Sequence, residues 1–389
     1  MTEKEIRVGI VGANARSSWA KVSHVPAING LPGLKLAAVS TRNEQNAREA
    51  AKSFGAEHWF SDPFAMIDDE RIDVITISVK VPEHRELVLA ALDARKAVYC
   101  EAPLGRNIAE AEEMASAVAS LHTAIGLQGR LNPAVRCAAQ VLSSGKIGRP
   151  LNARIVSTTS GFGPELPSWY DYFNWTSSGA NLLTITAGHT LDVVEAVLGE
   201  IIEVDARTEI LWPTVKLTDS GEERLRETPD HVGVLGKTHS GTVFAADING
   251  GAAPEEARFS FEIRGSEGWL SLRSNHPYGF QAGDLKLTSN IPFTPDEPAI
   301  SGGFMGAAIN VGEVYAHLVR DLYVGTYNTP DFDHALHNAR LIDAVRRAAE
   351  QGQRQKVTTL QGTDLEQEPI TNARNGFSRY GKPDGSGTR

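Results

Sequence analysis

The 389-residue sequence has few cysteines and no long apolar run, and each absence excludes a class of protein. Cys100 and Cys137 are the only cysteines, and their spacing fits neither a metal site nor a redox pair. No disulfide framework or metal centre is therefore predicted, and a reducing compartment is favoured. No run approaches the roughly 18 apolar residues that span a bilayer, and the polar segment 1–5 lacks the apolar stretch of a secretory signal. We expect a cytoplasmic protein with no membrane partner.

An excess of positive charge is also missing. Asp and Glu total 48 against 38 Lys and Arg, which gives a formal net charge of −10. Such a chain offers no strongly basic surface to nucleic acid or to an anionic membrane, so neither is expected as a partner. With 41% hydrophobic and 22% charged residues, the composition is ordinary for a globular protein, and the length fits two domains.

Apolar strands alternate with helical segments over the first third of the chain. We predict strands over residues 7–11, 34–40, 73–79, 97–100 and 124–128, and helices over 44–54, 83–94 and 108–121. Strands alternating with helices of this length form a doubly wound parallel sheet of the Rossmann type, which binds nucleotides at the carboxyl ends of its strands. The pattern therefore predicts a dinucleotide-binding domain over residues 1–128.

The turn after the first strand should hold the cofactor's phosphates, yet it lacks two glycines of the Gly-x-Gly-x-x-Gly fingerprint. It reads Gly12-Ala13-Asn14-Ala15-Arg16-Ser17. Asn tolerates left-handed backbone angles, so Asn14 can replace the second glycine. Arg16 and Ser17 open a helix, where a pyrophosphate is favoured. Candidate cofactor contacts are therefore Gly12, Asn14, Ala15, Arg16 and Ser17; the alternative is a polar loop that binds no ligand.

The second strand ends without the acidic residue that holds the ribose of NAD. It ends in Ser40-Thr41-Arg42, where Arg42 and two hydroxyls can accept a 2′-phosphate. Ser40 and Arg42 are thus candidate cofactor contacts, and NADP is favoured over NAD. The alternative is an arginine that is simply solvated before the next helix.

After residue 128 the pattern changes to consecutive strands. Strands are predicted over 151–157, 201–207, 232–237, 241–248, 257–264 and 268–272, and helices over 133–144, 181–198, 311–324 and 332–351. Strands joined by Gly, Asn and Ser turns indicate a mostly antiparallel sheet, and hence an α+β domain over residues 129–357. The polar segment 358–389 is predicted to be an extended or loosely attached tail.

These segments together resemble the Gfo/Idh/MocA family, named for glucose–fructose oxidoreductase, inositol dehydrogenase and a rhizopine-catabolism protein. The resemblance covers residues 5–355 and depends on the first strand and turn, Pro82–His84, Val98–Gly105, Asn132–Pro133, Gly145–Gly148 and Ser178–Asp192. It implies a Rossmann domain followed by a domain with an open sheet, which often makes dimer or tetramer contacts. It also implies NAD(P)-dependent oxidation of a sugar, sugar-derivative or cyclitol hydroxyl. The implied cofactor contacts are Val79, His84, Glu101 and Gln128.

The family's catalytic set is incomplete in this sequence. Members usually carry Lys in a Glu-Lys-Pro motif, and an Asp and a His four residues apart; the corresponding residues here are Ala102, Ile185 and His189. His189 remains as a candidate catalytic acid or base, although its apolar helix also suits a buried core histidine. Glu101 precedes the missing lysine, and the alternative to a cofactor contact there is a plain turn acid.

Candidate substrate-binding residues follow the last Rossmann strand and lie in an aromatic-rich loop. Arg130 and Asn132 come just after that strand, and Trp175 ends the aromatic run. Aromatic faces suit the apolar faces of pyranose rings. Together with His189 these residues would hold a sugar-like molecule. Two alternatives stay open: Arg130 can pair with a surface carboxylate, and the aromatic loop can pack as a lid without a ligand.

Within the family, the closest resemblance is to the branch of the fungal galactose-regulon repressor, which also lacks the lysine. It shows in Gly12–Ala15, Leu127–Arg130, Gly188–Asp192 and Pro229–His231. That protein binds NAD(P) and sequesters a transcriptional activator. Two functions therefore compete: an oxidoreductase with an atypical site, which most members of the fold favour, and a catalytically silent NAD(P)-binding sensor that acts through a protein partner. A purely structural oligomer ranks last.

Overall fold

The computed structural model describes residues 5–300 and 303–358. Apart from Thr358, the predicted tail lies outside the described residues. Two large sheets organise the chain, one from each predicted domain. In the described residues, no helix combines the length and apolar character needed to cross a membrane.

The N-terminal sheet is parallel throughout, with the strand order β3-β2-β1-β4-β5-β6. This is the doubly wound Rossmann order, so the predicted fold class is confirmed for the first domain. Its strands are β1 (Ile6–Val11), β2 (Leu34–Ser40), β3 (His58–Phe60), β4 (Val74–Ile77), β5 (Ala97–Cys100) and β6 (Thr123–Ile125). The helices between them are α1 (Trp19–Val22), α2 (His24–Gly30), α3 (Glu44–Phe54), α4 (Pro63–Ile67), α5 (His84–Asp93) and α6 (Ile108–Ser116).

Local signals account for most of these elements. Asn43 caps α3, and Gly55 ends it in the left-handed conformation, as its sequence predicts. The short edge strand β3 was not predicted, because three residues carry too little periodicity to stand out. The predictions over 73–79 and 124–128 were too long, since the chain leaves the sheet after Ile77 and Ile125 to form its carboxyl-edge loops.

The second sheet has eight strands in the order β16-β15-β14-β7-β13-β12-β9-β17 and is antiparallel except between β7 and β13. Its strands are β7 (Pro150–Thr158), β9 (Ile201–Glu209), β12 (His231–Thr238), β13 (Val243–Asn249), β14 (Phe259–Gly265), β15 (Trp269–Ser274), β16 (Lys286–Ser289) and β17 (Gln355–Lys356). A separate small sheet contains β8 (Glu165–Leu166), β10 (Thr214–Leu217) and β11 (Glu223–Leu225). The prediction of a mostly antiparallel second sheet is therefore confirmed.

Helices cover one face of the large sheet. They are α7 (Pro133–Ser143), α8 (Gly188–Leu198) and α10 (Phe332–Gln351), and their apolar residues share one core with the strands. Along β13, exposed and buried residues alternate, as expected when only one face is covered. Leu235, Val243 and Trp269 are exposed large side chains of these strands. The sheet is open on its second face.

The last two long helices join the two domains. In α9 (Ala307–Val324), Val311 and Val314 are fully buried in the core that also contains Val8 and Ile28 of the first domain. The start of α10 packs Phe332 into the Rossmann core, whereas its later turns pack on the large sheet. The two domains are therefore joined by shared packed helices.

Candidate active site

Close approach of two loops shapes the carboxyl edge beside β1. Gly12 has φ +95°, and a Cβ atom there would lie 2.2 Å from the carbonyl oxygen of Ser78, which follows β4. Only glycine fits this backbone conformation and this space. The loop that begins at Gly12 thus lies directly over the centre of the parallel sheet, where the Rossmann fold binds phosphates.

The rest of this turn differs from the sequence-based expectation. Asn14 does not adopt a positive φ; instead its Oδ1 accepts the backbone N–H of Arg16 at 2.8 Å. Helix α1, capped by the Ser18 hydroxyl, has only four residues and is interrupted at Ser23. The expected left-handed Asn14 is therefore wrong, and the helix that was to attract phosphate is short. The Arg16 guanidinium is well exposed and lies 3.9 Å from Glu49.

At the end of β2, a carboxylate arrives from another loop. Ser40 is fully buried, and its hydroxyl has no partner in the described structure. The exposed Arg42 guanidinium forms an ion pair with Glu83, which belongs to the 3₁₀ segment Val81–Glu83. Arg42 is therefore neither free nor simply solvated, and an acidic group lies beside it although β2 itself ends without one.

His84 connects two edge loops. Its ring nitrogens lie 3.2 Å from the Val79 carbonyl oxygen and 3.1 Å from that of Pro103. Burial lowers the pKa of this imidazole, against the opposing effect of these carbonyls. Val79 and His84 therefore hold the loops after β4 and β5 together, and they shape the edge through the backbone.

Glu101, at the end of β5, is bound by residues that sequence reasoning missed. His24 Nε2 lies 2.9 Å from Glu101 Oε1, and His24 Nδ1 lies 3.0 Å from the Tyr315 hydroxyl. That hydroxyl lies 2.7 Å from Thr76 Oγ1. His24, Tyr315 and Thr76 are fully buried. No local sequence signal could have found this chain of contacts, because His24 lies 77 residues from Glu101 and 291 from Tyr315.

Two other predicted residues present buried polar atoms without partners. Gln128 Oε1 and His189 Nδ1 are both buried and accept or donate no hydrogen bond within the described ranges. Burial lowers the pKa of His189, and the nearby charges of Glu101 and Asp192 oppose the effect only in part. Burial therefore favours the neutral imidazole of His189, which is the form that a general base needs.

Arg130 pairs with a buried carboxylate, not with a surface one. Its Nη1 donates to Asp192 Oδ1 at 2.5 Å, and His334 Nε2 lies 2.7 Å from the same oxygen. Burial raises the pKa of Asp192, but the charges of Arg130 and His334 outweigh it and the net shift is downward. Asp192 and His334 were missed, although an acid three residues after His189 in an apolar helix is itself unusual.

Asn132 is part of the framework. Its Oδ1 accepts the N–H of Ala134 at the start of α7, and its Nδ2 donates to Asn310 Oδ1 at 2.6 Å. Both ends of the buried amide are therefore used within the described residues.

The aromatic loop reaches the Rossmann edge. Trp175 is half-buried after the 3₁₀ segment Ser168–Asn174, and Lys80 Nζ lies 4.6 Å from the centre of the Tyr172 ring. Lys80 follows β4 and was not singled out from the sequence. Its cation–π contact with Tyr172 joins the aromatic loop to the loop after β4.

Comparison with known proteins agrees with this architecture. Residues 6–128 match the family model of the Gfo/Idh/MocA oxidoreductases, described as an NAD-binding Rossmann fold. Residues 133–274 match that of the Gal80p C-terminal domain. A solved structure of levoglucosan dehydrogenase in complex with NADH and L-sorbose is similar in fold, with a TM-score of 0.77, 23% identity, and coverage of 92% of this chain and 100% of that one.

Two relatives represent the two kinds of function. Dehydrogenase aclE of Aspergillus oryzae is 29% identical over 364 residues, covering 90% of this chain and 98% of that protein. The galactose/lactose metabolism regulatory protein GAL80 of Kluyveromyces lactis is 29% identical over 298 residues, covering 70% and 65% respectively. The chain is therefore similar to the NAD-binding Gfo/Idh/MocA oxidoreductases over residues 6–128 and to the Gal80p C-terminal domain over residues 133–274.

Proposed function

We propose that this protein is an NAD(P)-dependent dehydrogenase that oxidises a hydroxyl group of a sugar-like polyol or cyclitol. The observation that carries the proposal is the buried His189, whose Nδ1 has no partner among the described residues. An unpartnered buried nitrogen is costly unless a ligand or water satisfies it. Levoglucosan dehydrogenase and the other dehydrogenase relatives support this chemistry by analogy.

The residues at the carboxyl edge fit a dinucleotide. Gly12 brings the first loop close over the sheet, and the buried Ser40 hydroxyl and Gln128 Oε1 have no partner in the part of the chain that the structure describes. Arg42 can bind a 2′-phosphate if it exchanges Glu83 for it, and on this ground we propose NADP over NAD. When bound, the oxidised nicotinamide accepts a hydride from the carbon that bears the hydroxyl.

His189 takes the hydroxyl proton in this proposal, because the lysine position is the methyl group of Ala102. Asp192 lies on the same helix and is held by Arg130 and His334, so it stabilises the protonated imidazole from one side. Trp175 and the Lys80–Tyr172 contact border the cleft and can position an apolar sugar face. Arg130 is 22% exposed and is the remaining candidate for a substrate hydrogen bond.

The test is turnover with a panel of sugars and cyclitols, using NAD and NADP and following absorbance of the reduced nicotinamide. His189→Asn should lower kcat about 10²–10⁴-fold while NADPH binding, measured by fluorescence, stays near wild type. His231→Asn is the matched control, since His231 lies on the large sheet and pairs with Asp247. Turnover that survives His189→Asn would contradict the assignment of this residue.

A regulator is the second candidate, favoured by Ala102 and by the Gal80p-type domain over residues 133–274. It would bind the cofactor and transmit that state to a protein partner. Cofactor binding without turnover of any panel member would support it over the dehydrogenase.

We also propose that the protein forms a homo-oligomer through the open face of its large sheet. Leu235, Val243 and Trp269 are exposed on these strands. Light scattering on the purified protein measures the mass directly, and Leu235→Arg should shift it towards the monomer if this face is the contact.

A further inference from the structure

The helix that carries His189 begins with a wider turn. The segment Leu183–Ala187 is a π-helix, and α8 starts directly after it, so His189 is the second residue of α8. The Ala187 N–H donates to the carbonyl oxygen of Leu182, five residues earlier, at 2.9 Å. Such turns are rare and are frequent at functional sites. The helix predicted over 181–198 therefore contains two kinds of turn, and His189 follows the junction between them.

Two side chains form hydrogen bonds on either side of His189. The Thr190 hydroxyl donates to the carbonyl oxygen of Thr186, one turn earlier, at 2.7 Å. The Asn338 side chain donates through Nδ2 to the carbonyl oxygen of Gly188 at 3.1 Å. Because Gly188 and Thr190 flank His189, these bonds hold the chain directly before and directly after it. A buried polar group that loses its partner is costly, so both bonds resist displacement of the junction.

The two bonds connect the junction to both domains. Asn338 lies on α10 between Ala335, which is part of the Rossmann core, and Leu341, which is part of the core of the large sheet. The Thr190 hydroxyl also lies 3.0 Å from the hydroxyl of Ser157, on strand β7 of the large sheet. Asn338, Thr190 and Ser157 are all buried. The backbone that carries His189 is therefore fixed to α10 on one side and to β7 on the other.

Gly188 lets α10 approach the start of α8. A Cβ atom at this position would lie 3.2 Å from Asn338 Oδ1, which is closer than an ordinary van der Waals contact. The amide of Asn338 thus lies against the backbone of residue 188, where its Nδ2 reaches the carbonyl group. A residue without a side chain therefore precedes His189, and the Asn338 amide uses the space.

The imidazole ring of His189 is not anchored in this way. Its Nδ1 has no hydrogen-bond partner among the described residues, whereas a catalytic base is commonly oriented by a third group. The rings of His334 and His337 differ, because Asp192 and Glu195 respectively lie within hydrogen-bond distance of them. The direction of the His189 ring therefore depends on the backbone that carries it.

We propose that Asn338 and Thr190 are positioning residues that direct the His189 imidazole towards the substrate hydroxyl by holding the π-to-α junction. This inference depends on the proposed dehydrogenase function. A general base must come within about 2.6–3.2 Å of the group whose proton it takes, and a misplacement of about 1 Å can lower the rate about 10²-fold. Asn338 and Thr190 act through the backbone and not on the substrate, so their loss should lower kcat and leave KM unchanged.

The test compares variants that differ in one hydrogen bond. Thr190→Val removes the hydroxyl and keeps the shape, and Asn338→Leu removes the amide at similar volume. Each should lower kcat about 10–10²-fold, with KM and NADPH affinity near wild type, whereas Thr190→Ser should retain the wild-type kcat. The NMR shifts of the His189 ring, assigned with His189→Asn in the full-length protein without substrate, should change in the first two variants only.

Asn310→Leu is the matched control. Asn310 is also a buried helical asparagine, and its Nδ2 donates to the carbonyl oxygen of Gln281 at 2.9 Å. Its loss should lower the melting temperature as the loss of Asn338 does, but it should leave kcat and the His189 shifts unchanged. Circular dichroism confirms that each variant is folded at the assay temperature, and the two Thr190 variants decide the question if Asn338→Leu does not fold.

The two proposals fail in different ways. Wild-type kcat and unchanged His189 shifts in folded Thr190→Val overturn this inference and leave the dehydrogenase intact. An equal loss of kcat in Asn310→Leu, or in Thr190→Ser, would reduce the contacts to general packing and also overturn it. Absence of turnover by the wild type overturns the proposed function, whereas the NMR comparison still decides whether Asn338 and Thr190 orient the ring.

Discussion

Gly12→Ala tests whether the first loop must lie as close to the sheet as the structure shows. The new Cβ would lie 2.2 Å from the Ser78 carbonyl oxygen and 2.9 Å from Val79 Cγ1, in a backbone with φ +95°. Backbone of the loop after β4 cannot yield as a flexible side chain can. We therefore expect both a loss of stability and a displaced cofactor turn.

The two costs can be separated with a second glycine. A side chain at positive φ costs ~1–2 kcal/mol, and crowding in a packed region costs ~1–3 kcal/mol more. Gly55 has φ +77° but nothing within 4 Å of its Cβ position, so Gly55→Ala has only the first cost. The difference between the variants, ~1–3 kcal/mol, corresponds to a melting temperature about 2–12 °C lower for Gly12→Ala.

The assay combines thermal unfolding with titration of NADH and NADPH fluorescence. Gly55→Ala should bind both cofactors like the wild type, because it lies at the end of α3 away from the edge loops. Gly12→Ala should lower the affinity for both NADH and NADPH. If Gly12→Ala has the same melting temperature as Gly55→Ala and keeps its cofactor affinity, the close approach at Ser78 has no role in stability or binding.

Three further predictions concern single contacts. Arg42→Asp should lower the affinity for NADP far more than the affinity for NAD. Glu83→Gln, which releases Arg42 from its ion pair, should raise the affinity for NADP. Equal losses of affinity for both cofactors in titrations of Arg42→Asp would contradict a 2′-phosphate contact. Asn132→Ala should lower the free energy of unfolding, measured with urea, by ~1–2 kcal/mol because α7 loses its N-cap, and it should leave KM unchanged. Burial lowers the pKa of His337, but the contact with Glu195 at 2.9 Å raises the pKa by a larger amount, so the net shift is upward. This pair should therefore stabilise the fold fully below about pH 6.5 and lose that contribution as pH rises through the folded pKa. The free energy of unfolding, measured at several pH values, should show this pH dependence in the wild type but not in His337→Gln.

Much of the fold followed from the sequence by itself. Buried strands read as short apolar runs and helices as amphipathic periods, and both signals are local; α3, β2, β5 and α10 therefore have the predicted bounds. Gly12 was identified because it follows the first strand and matches the first glycine of the dinucleotide fingerprint. The resemblance to the Gfo/Idh/MocA family, which the match over residues 6–128 supports, followed from the order and spacing of several short motifs.

The tertiary structure decided which polar groups meet. His24 and Glu101 are separated by 77 residues, and Asp192 and His334 by 142. No periodicity records such pairs, because their contact depends on how α2, α9 and α10 pack against the sheets. The conformation of Asn14 was misjudged for the same reason: residue type predicts what a side chain can bind, but packing selects which partner it has. Hydrogen bonds of buried groups are settled only when the whole core excludes water.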